Sequence, residues 1–107
     1  MTKKTKDYES ELLERLRNAD YAAEYLNAVI EDESDEDFEE RFLIALRDVA
    51  KAYGITNLSE QTELWRKSLY KALSREGNPR FSTLIGLLHA MGLTFQIASQ
   101  KKRSQSA

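Results

Sequence analysis

The sequence of 107 residues contains no cysteine, one proline, four glycines and one histidine. Without cysteine it can form neither disulfides nor thiolate metal sites, and with so few helix-breaking residues we expect a mostly helical chain. No apolar run approaches the roughly 20 residues of a membrane span, and the first residues, MTKKTKDYES, lack the apolar core of a signal peptide. A cytoplasmic protein without a membrane partner is therefore expected.

The charges are divided unevenly between the two halves of the chain. Residues 1–48 carry 7 Lys and Arg against 15 Asp and Glu, a net charge of −8, whereas residues 49–107 carry 9 against 3, a net charge of +6. Because a polyanion responds to charge within a Debye length of about 8–10 Å, a basic half can bind DNA while an acidic half stays clear of it. Two partners of opposite charge are plausible, and the alternative is that the acidic half is only a solvated helix surface.

Apolar residues spaced three and four apart predict several amphipathic helices. Asp7 is the predicted N-cap of the first, Asp20 of the second, and Asp35 of a longer third helix that ends at Gly54. In the last predicted helix Asn78 is the cap, Pro79 occupies the first position and Gly92 follows the end. The predicted inner face of the third helix comprises Phe38, Phe42, Leu46, Val49 and Tyr53, and that of the last helix comprises Phe81, Leu84, Ile85, Leu88 and Met91.

Residues 55–73, ITNLSEQTELWRKSLYKAL, have the pattern of a helix-turn-helix: two short helical segments joined by a turn. Asn57 would cap the first helix, which would bury Leu58 and Thr62, with Leu64 in the turn. The second would bury Leu69 and Leu73, four residues apart and so on one face. Its outward residues, Arg66, Lys67, Ser68, Tyr70 and Lys71, suit phosphate oxygens and base edges in the major groove.

The DNA-binding site predicted from these residues has three parts. Arg66, Lys67, Ser68 and Lys71 would contact bases or phosphates, supported by Tyr70, which the pattern also allows to be mostly core. Free amides at two helix N-termini would bind the DNA backbone, the first near Thr56 and Asn57 and the second near Arg80 and Ser82.

No constellation predicts an enzyme or a cofactor. His89 is the sole imidazole and lies beside apolar residues of a predicted core-bearing helix, so we interpret it as structural or surface. The acidic run of residues 31–40, EDESDEDFEE, lacks the central glycine of an EF-hand loop. Neither GxGxxG nor GxxxxGK[ST] occurs, so no nucleotide-binding loop is predicted.

Several segments in order, DYAAEYLNAVIED, FLIALRDVAKAYG, SLYKAL and EGNPRFSTLIGLLHAMGL, resemble the addiction-module antidote family, the HigA-like antitoxins of the XRE helix-turn-helix superfamily. The resemblance covers about residues 20–95. It implies an all-α, lambda-repressor-like bundle, and a protein that neutralises a small, basic RelE/ParE-like toxin by direct binding and represses its own operon as a dimer on operator DNA. Two residues depart from the family pattern: Glu63 where glycine is usual in the turn, and Trp65 where a serine cap is common.

One strand is predicted after the last helix, because Leu93, Phe95 and Ile97 alternate with polar or small residues. A helical chain offers this strand no partner, so we predict that two copies pair it in an antiparallel ribbon and that these three residues form the dimer contact. The ribbon would set the two recognition helices about one DNA turn apart, roughly 34–36 Å.

The resulting domain organisation is a helical extension over residues 1–19, a helix-turn-helix antitoxin domain over residues 20–98 and a basic disordered tail over residues 99–107. Helices around residues 21–40 would make much of the toxin contact, because an acidic surface complements a basic toxin. Two alternatives are a stand-alone XRE-type transcriptional regulator and a protein-interaction module that has lost DNA binding.

Overall fold

The computed structural model describes residues 2–32, 36–62, 66–74 and 78–99, and describes only the backbone at residues 2–7 and 66–68. Six helices lie within these ranges: α1 Thr2–Leu16, α2 Ala19–Ile30, α3 Phe38–Tyr53, α4 Ile55–Thr62, α5 Arg66–Ala72 and α6 Phe81–Ala90. The described residues contain no strand. The prediction of an all-α chain is confirmed.

Helix α3 is the centre of the bundle, with α1 and α2 packed on one another and both on α3, and with α4 against α3, α5 and α6. Its inner residues Leu46, Val49 and Ala50 are at most 2% exposed. Leucines from the shorter helices complete the core, and Leu58 of α4 is fully buried. Each buried leucine contributes roughly 1.5–3 kcal/mol relative to exposure, and this packing stabilises helices as short as α4 and α5.

Three predicted N-caps are wrong because each helix begins earlier or later than its capping residue suggested. Helix α1 already begins at Thr2, so Asp7 lies inside it. The N-cap of α2 is Asn18, whose side-chain oxygen accepts a hydrogen bond from the Tyr21 amide at 3.0 Å, and Asp20 lies in the first turn. There its carboxylate still faces the positive end of the helix dipole. Asp35, the third predicted cap, lies outside the described residues, and Asp37 precedes α3.

The cap assignments around α4 and α6 are also corrected. Gly54 ends α3 as predicted, with φ at 114°, and its carbonyl accepts a hydrogen bond from the Leu58 amide, so α4 starts at Ile55 with Asn57 inside it. Helix α6 starts at Phe81 after Arg80 in extended conformation. Asn78, at φ 42°, and Pro79 therefore precede the helix rather than open it.

Two aromatic residues predicted for the core lie at the surface. Phe38 is 46% exposed and Phe81 is 64% exposed, because each opens its helix and extends beyond the helices that cover the following turns. Residues further along the same stripes, including Leu46 and Leu88, are buried. The helical periodicity is therefore right, and the predicted core extends one turn too far at each N-terminus.

The chain leaves α6 through a Schellman motif. The Leu93 amide donates to the Leu88 carbonyl at 2.8 Å and the Gly92 amide to the His89 carbonyl at 3.0 Å, with Gly92 at φ 79°. This turn buries Leu93 at 8% exposure. Residues 93–99 then run without helix or strand. The predicted strand over residues 93–98 is not formed within one chain, because no other described segment is available to pair with it.

Candidate functional site

Helix α5 is anchored on one face and exposed on the other. Leu69 and Leu73 are fully buried, as predicted, whereas Tyr70 is 39% exposed and Lys71 is exposed. Of the two interpretations of Tyr70, the surface position is thus the correct one. Arg66, Lys67 and Ser68 occupy the first turn of α5, but their side chains lie outside the described part of the chain.

The C-terminal end of α5 is tied to α3 by an arginine that the sequence analysis did not select. The half-buried Arg47 donates from Nη2 to the Leu73 carbonyl at 3.2 Å. A cation at this end also complements the helix dipole. Ser74 Oγ donates to the Lys71 carbonyl at 2.7 Å, which satisfies another terminal acceptor. The available signal was an arginine between the core residues Leu46 and Val49.

The other predicted DNA-binding residues lie at the starts of α4 and α6. Thr56 and Asn57 are exposed in the first turn of α4, and Arg80 and Ser82 are exposed around the start of α6. Because α4 contacts both α5 and α6, the fold brings three of the selected segments together. Glu63 and Trp65, the two departures from the family pattern, lie outside the described residues.

The opposite end of the bundle is acidic. Glu24 and Glu31 on or after α2 and Glu39 on α3 are exposed, and Asp32 forms an ion pair with Arg41 at 3.8 Å. Between the two helices, Tyr25 Oη donates to Asp48 Oδ2 at 3.0 Å, which holds α2 on α3. Burial, together with the hydrogen bond to the Asp48 carboxylate, raises the pKa of Tyr25 to about 12. The tyrosine therefore stays protonated and keeps donating at neutral pH.

Of the three predicted dimer residues, one is buried and two are exposed. Leu93 is 8% exposed, Phe95 is 41% exposed and Ile97 is 90% exposed. The Phe95 ring meets Phe81 edge to face, with centroids 5.5 Å apart. An apolar side chain as open as that of Ile97 is a strong feature of this surface.

Neither a metal-binding cluster nor a membrane span occurs among the described residues. They contain no group of three or more His, Asp or Glu that could hold a metal ion. His89 is exposed on α6. No described helix is both long and apolar enough to cross a bilayer.

Comparison with known proteins agrees with the antidote resemblance. Residues 6–99 match the family described as probable addiction module antidote protein. An uncharacterized protein of Haemophilus influenzae is 34% identical over 101 residues, which span 94% of this chain and 98% of that protein. No solved structure matches. The chain belongs to the addiction-module antidote family, which places it in a toxin–antitoxin system, indicates a regulatory rather than catalytic role and implies a toxin as partner.

Proposed function

We propose that this protein is the antitoxin of a type II module, that it neutralises a RelE/ParE-like toxin by direct binding, and that it represses its own operon as a homodimer on operator DNA. In fold terms it is a HigA-like member of the XRE helix-turn-helix superfamily, with α4 and α5 as the two helices of that motif. The observation that carries the DNA-binding part is helix α5. Its leucine face is fully buried while Tyr70 and Lys71 face solvent.

The charge of the helices around α5 supports DNA as the ligand. Residues 49–107 carry three acidic residues against nine basic ones, and Glu60 is the acidic residue among those described in α4–α6. A helix presenting cations on a rigid leucine base matches what phosphate contacts require. Arg66 and Lys67 at the start of α5 are proposed to approach the bases, and Lys71 a phosphate.

The acidic end of the bundle is the proposed toxin-binding surface. Helix α2 and the start of α3 combine exposed carboxylates with exposed apolar side chains, including Ile30 and Phe38. A toxin that acts on nucleic acid or its machinery is basic, so opposite charges would accelerate association and make it salt-sensitive. The proposed DNA-binding and toxin-binding surfaces thus lie on different helices.

The test is operator binding by the protein purified with the product of its neighbouring gene, measured on its own promoter over a range of salt concentrations. Lys71→Ala should lower the slope of log K against log salt by about one, and Arg66→Ala should cost roughly 1–3 kcal/mol if it meets a base. Lys51→Ala is the matched control, because Lys51 is an exposed lysine of α3 that faces the α1–α2 junction. Unchanged affinity and slope in both variants would exclude α5 as the DNA reader.

The same preparation distinguishes the alternatives. A stand-alone regulator would bind the promoter without a co-purifying toxin, and a pure interaction module would retain toxin without shifting the promoter. Co-purification with an unchanged promoter mobility would therefore retain the antitoxin role and remove the repressor role.

A further inference from the structure

An apolar groove of about 660 Å³ opens between α2, the start of α3 and the C-terminal segment. Leu26, Leu88 and Leu93 are the buried residues that line it, and Ile30 lies at its edge with 42% exposure. Its volume falls within the range of roughly 300–1,000 Å³ that accommodates specific ligands in proteins. The groove can therefore hold several apolar side chains of an incoming segment.

One wall of the groove is itself an incomplete structure. Residues 94–98 line it in a non-helical conformation, and no hydrogen bond joins their backbone to the other described residues. Ile97 on this wall is 90% exposed. Extended backbone with unpaired donors and acceptors beside an apolar row favours pairing with another extended chain.

We infer that the occupant of this groove is the same segment of a second copy, with Ile97 of each subunit lying against Leu26 and Ile30 of the other. The inference rests on the dimer of the proposed function and specifies the surface that receives the segment. Under two-fold symmetry one insertion generates the other, so both grooves are filled and both Ile97 side chains are covered together. The predicted ribbon is then not free-standing, because α2 covers it.

The charges around the groove favour this occupant. Glu31 lies on the groove lining, and the acidic run of residues 31–40 follows it, whereas residues 101–103, Lys-Lys-Arg, follow the inserting segment in the sequence. A segment that brings apolar side chains into the groove and basic ones to its edge complements both parts of the surface. The second copy supplies this combination within a few residues.

Cysteine cross-linking tests the geometry directly, because the natural chain has no thiol. Asn27 is exposed and lines the groove, so Asn27→Cys places a thiol on the receiving side, and Ile97→Cys places one on the inserting side. The two single variants, one of them tagged, are mixed, allowed to exchange and oxidised or treated with a short bis-maleimide. Keeping the thiols on separate chains ensures that every mixed product joins two subunits.

The expected result is a covalent mixed dimer of Asn27→Cys with Ile97→Cys, and none when Asn57→Cys on α4 replaces Asn27→Cys. In parallel, Ala23→Arg inside the groove should weaken the dimer at least tenfold in sedimentation, whereas Ala28→Arg, on an exposed site of α2 outside the groove lining, should not. Circular dichroism confirms that both variants are folded.

Three outcomes would overturn the inference, and they are distinguishable. A stable dimer without the mixed cross-link would retain the proposed dimer and reject the groove as its receptor. A wild-type chain that is monomeric at micromolar concentration would reject both. An Asn27→Cys thiol that reacts freely in the dimer and is protected only by added toxin would assign the groove to the toxin instead.

Discussion

Replacing Arg47 by methionine removes the hydrogen bond that holds the end of α5 against α3. The Nη2–carbonyl distance to Leu73 is 3.2 Å, and Leu73 itself is fully buried. Hydrogen bonds from charged donors contribute about 1.5–3 kcal/mol, and the loss of a cation at a helix C-terminus adds roughly 0.3–1 kcal/mol. Methionine retains an apolar stem, so the packing of the arginine stem is partly preserved.

One term opposes this loss. Arg47 Nε is buried without a hydrogen-bond partner among the described residues, and methionine abolishes that desolvated donor. We therefore expect a net destabilisation of about 1–2 kcal/mol for Arg47→Met. Because α5 has seven residues and depends on tertiary contacts for its stability, the displacement should also reduce operator affinity more than affinity for random DNA.

Urea unfolding followed by circular dichroism at fixed protein concentration measures the first effect, and fluorescence anisotropy on operator and random DNA measures the second. Arg41→Met is the matched control. Arg41 also lies on α3, but its side chain is 55% exposed and its ion pair with Asp32 is 3.8 Å long, so the expected cost is below about 1 kcal/mol. Equal unfolding midpoints and equal DNA discrimination for wild type and Arg47→Met would refute the reasoning.

Three further predictions follow from other contacts. Leu69→Ala should lower the free energy of unfolding by about 2–5 kcal/mol because the side chain is fully buried, whereas Tyr70→Ala should cost much less; urea titration compares them. The native state keeps the Tyr25 proton up to a pKa of about 12, and the unfolded state loses it near the ordinary value of about 10. The stability from this contact is therefore complete below about pH 10 and lost as pH rises towards 12, and Tyr25→Phe should remove that part of the pH dependence of unfolding. Phe95→Asp should yield a folded monomer with weaker operator binding, and a dimer by sedimentation at micromolar concentration would contradict the proposed dimer contact.

The sequence predicted the parts of the fold that depend on local periodicity. Leucines four apart placed Leu69 and Leu73 on the inner face of α5, and the stripe through Leu46 and Val49 identified α3. Gly54 was predicted to end α3 because it tolerates the positive φ found there. The antidote resemblance, carried by motifs along the same segments, agreed with the family match over residues 6–99.

Helix starts and contacts between distant residues required the tertiary structure. Asn18 caps α2 although Asp20 is an equally good capping residue, because the turn after α1 determines which backbone position is extended. Arg47 meets Leu73 across 26 residues, and no local pattern announces such a pair. The exposure of Phe81 and Ile97 likewise depends on which helices end beside them.

The sequence by itself thus determined the helical class, the inner face of each long helix and the opposite charges of the two halves, since spacing and composition are properties of the chain alone. Only the tertiary structure decided that α5 is held through Arg47 and that residues 94–98 form one wall of an open apolar groove. The physical reason is that hydrogen bonds between distant segments, and the surfaces left uncovered, depend on how the helices pack rather than on the order of their residues.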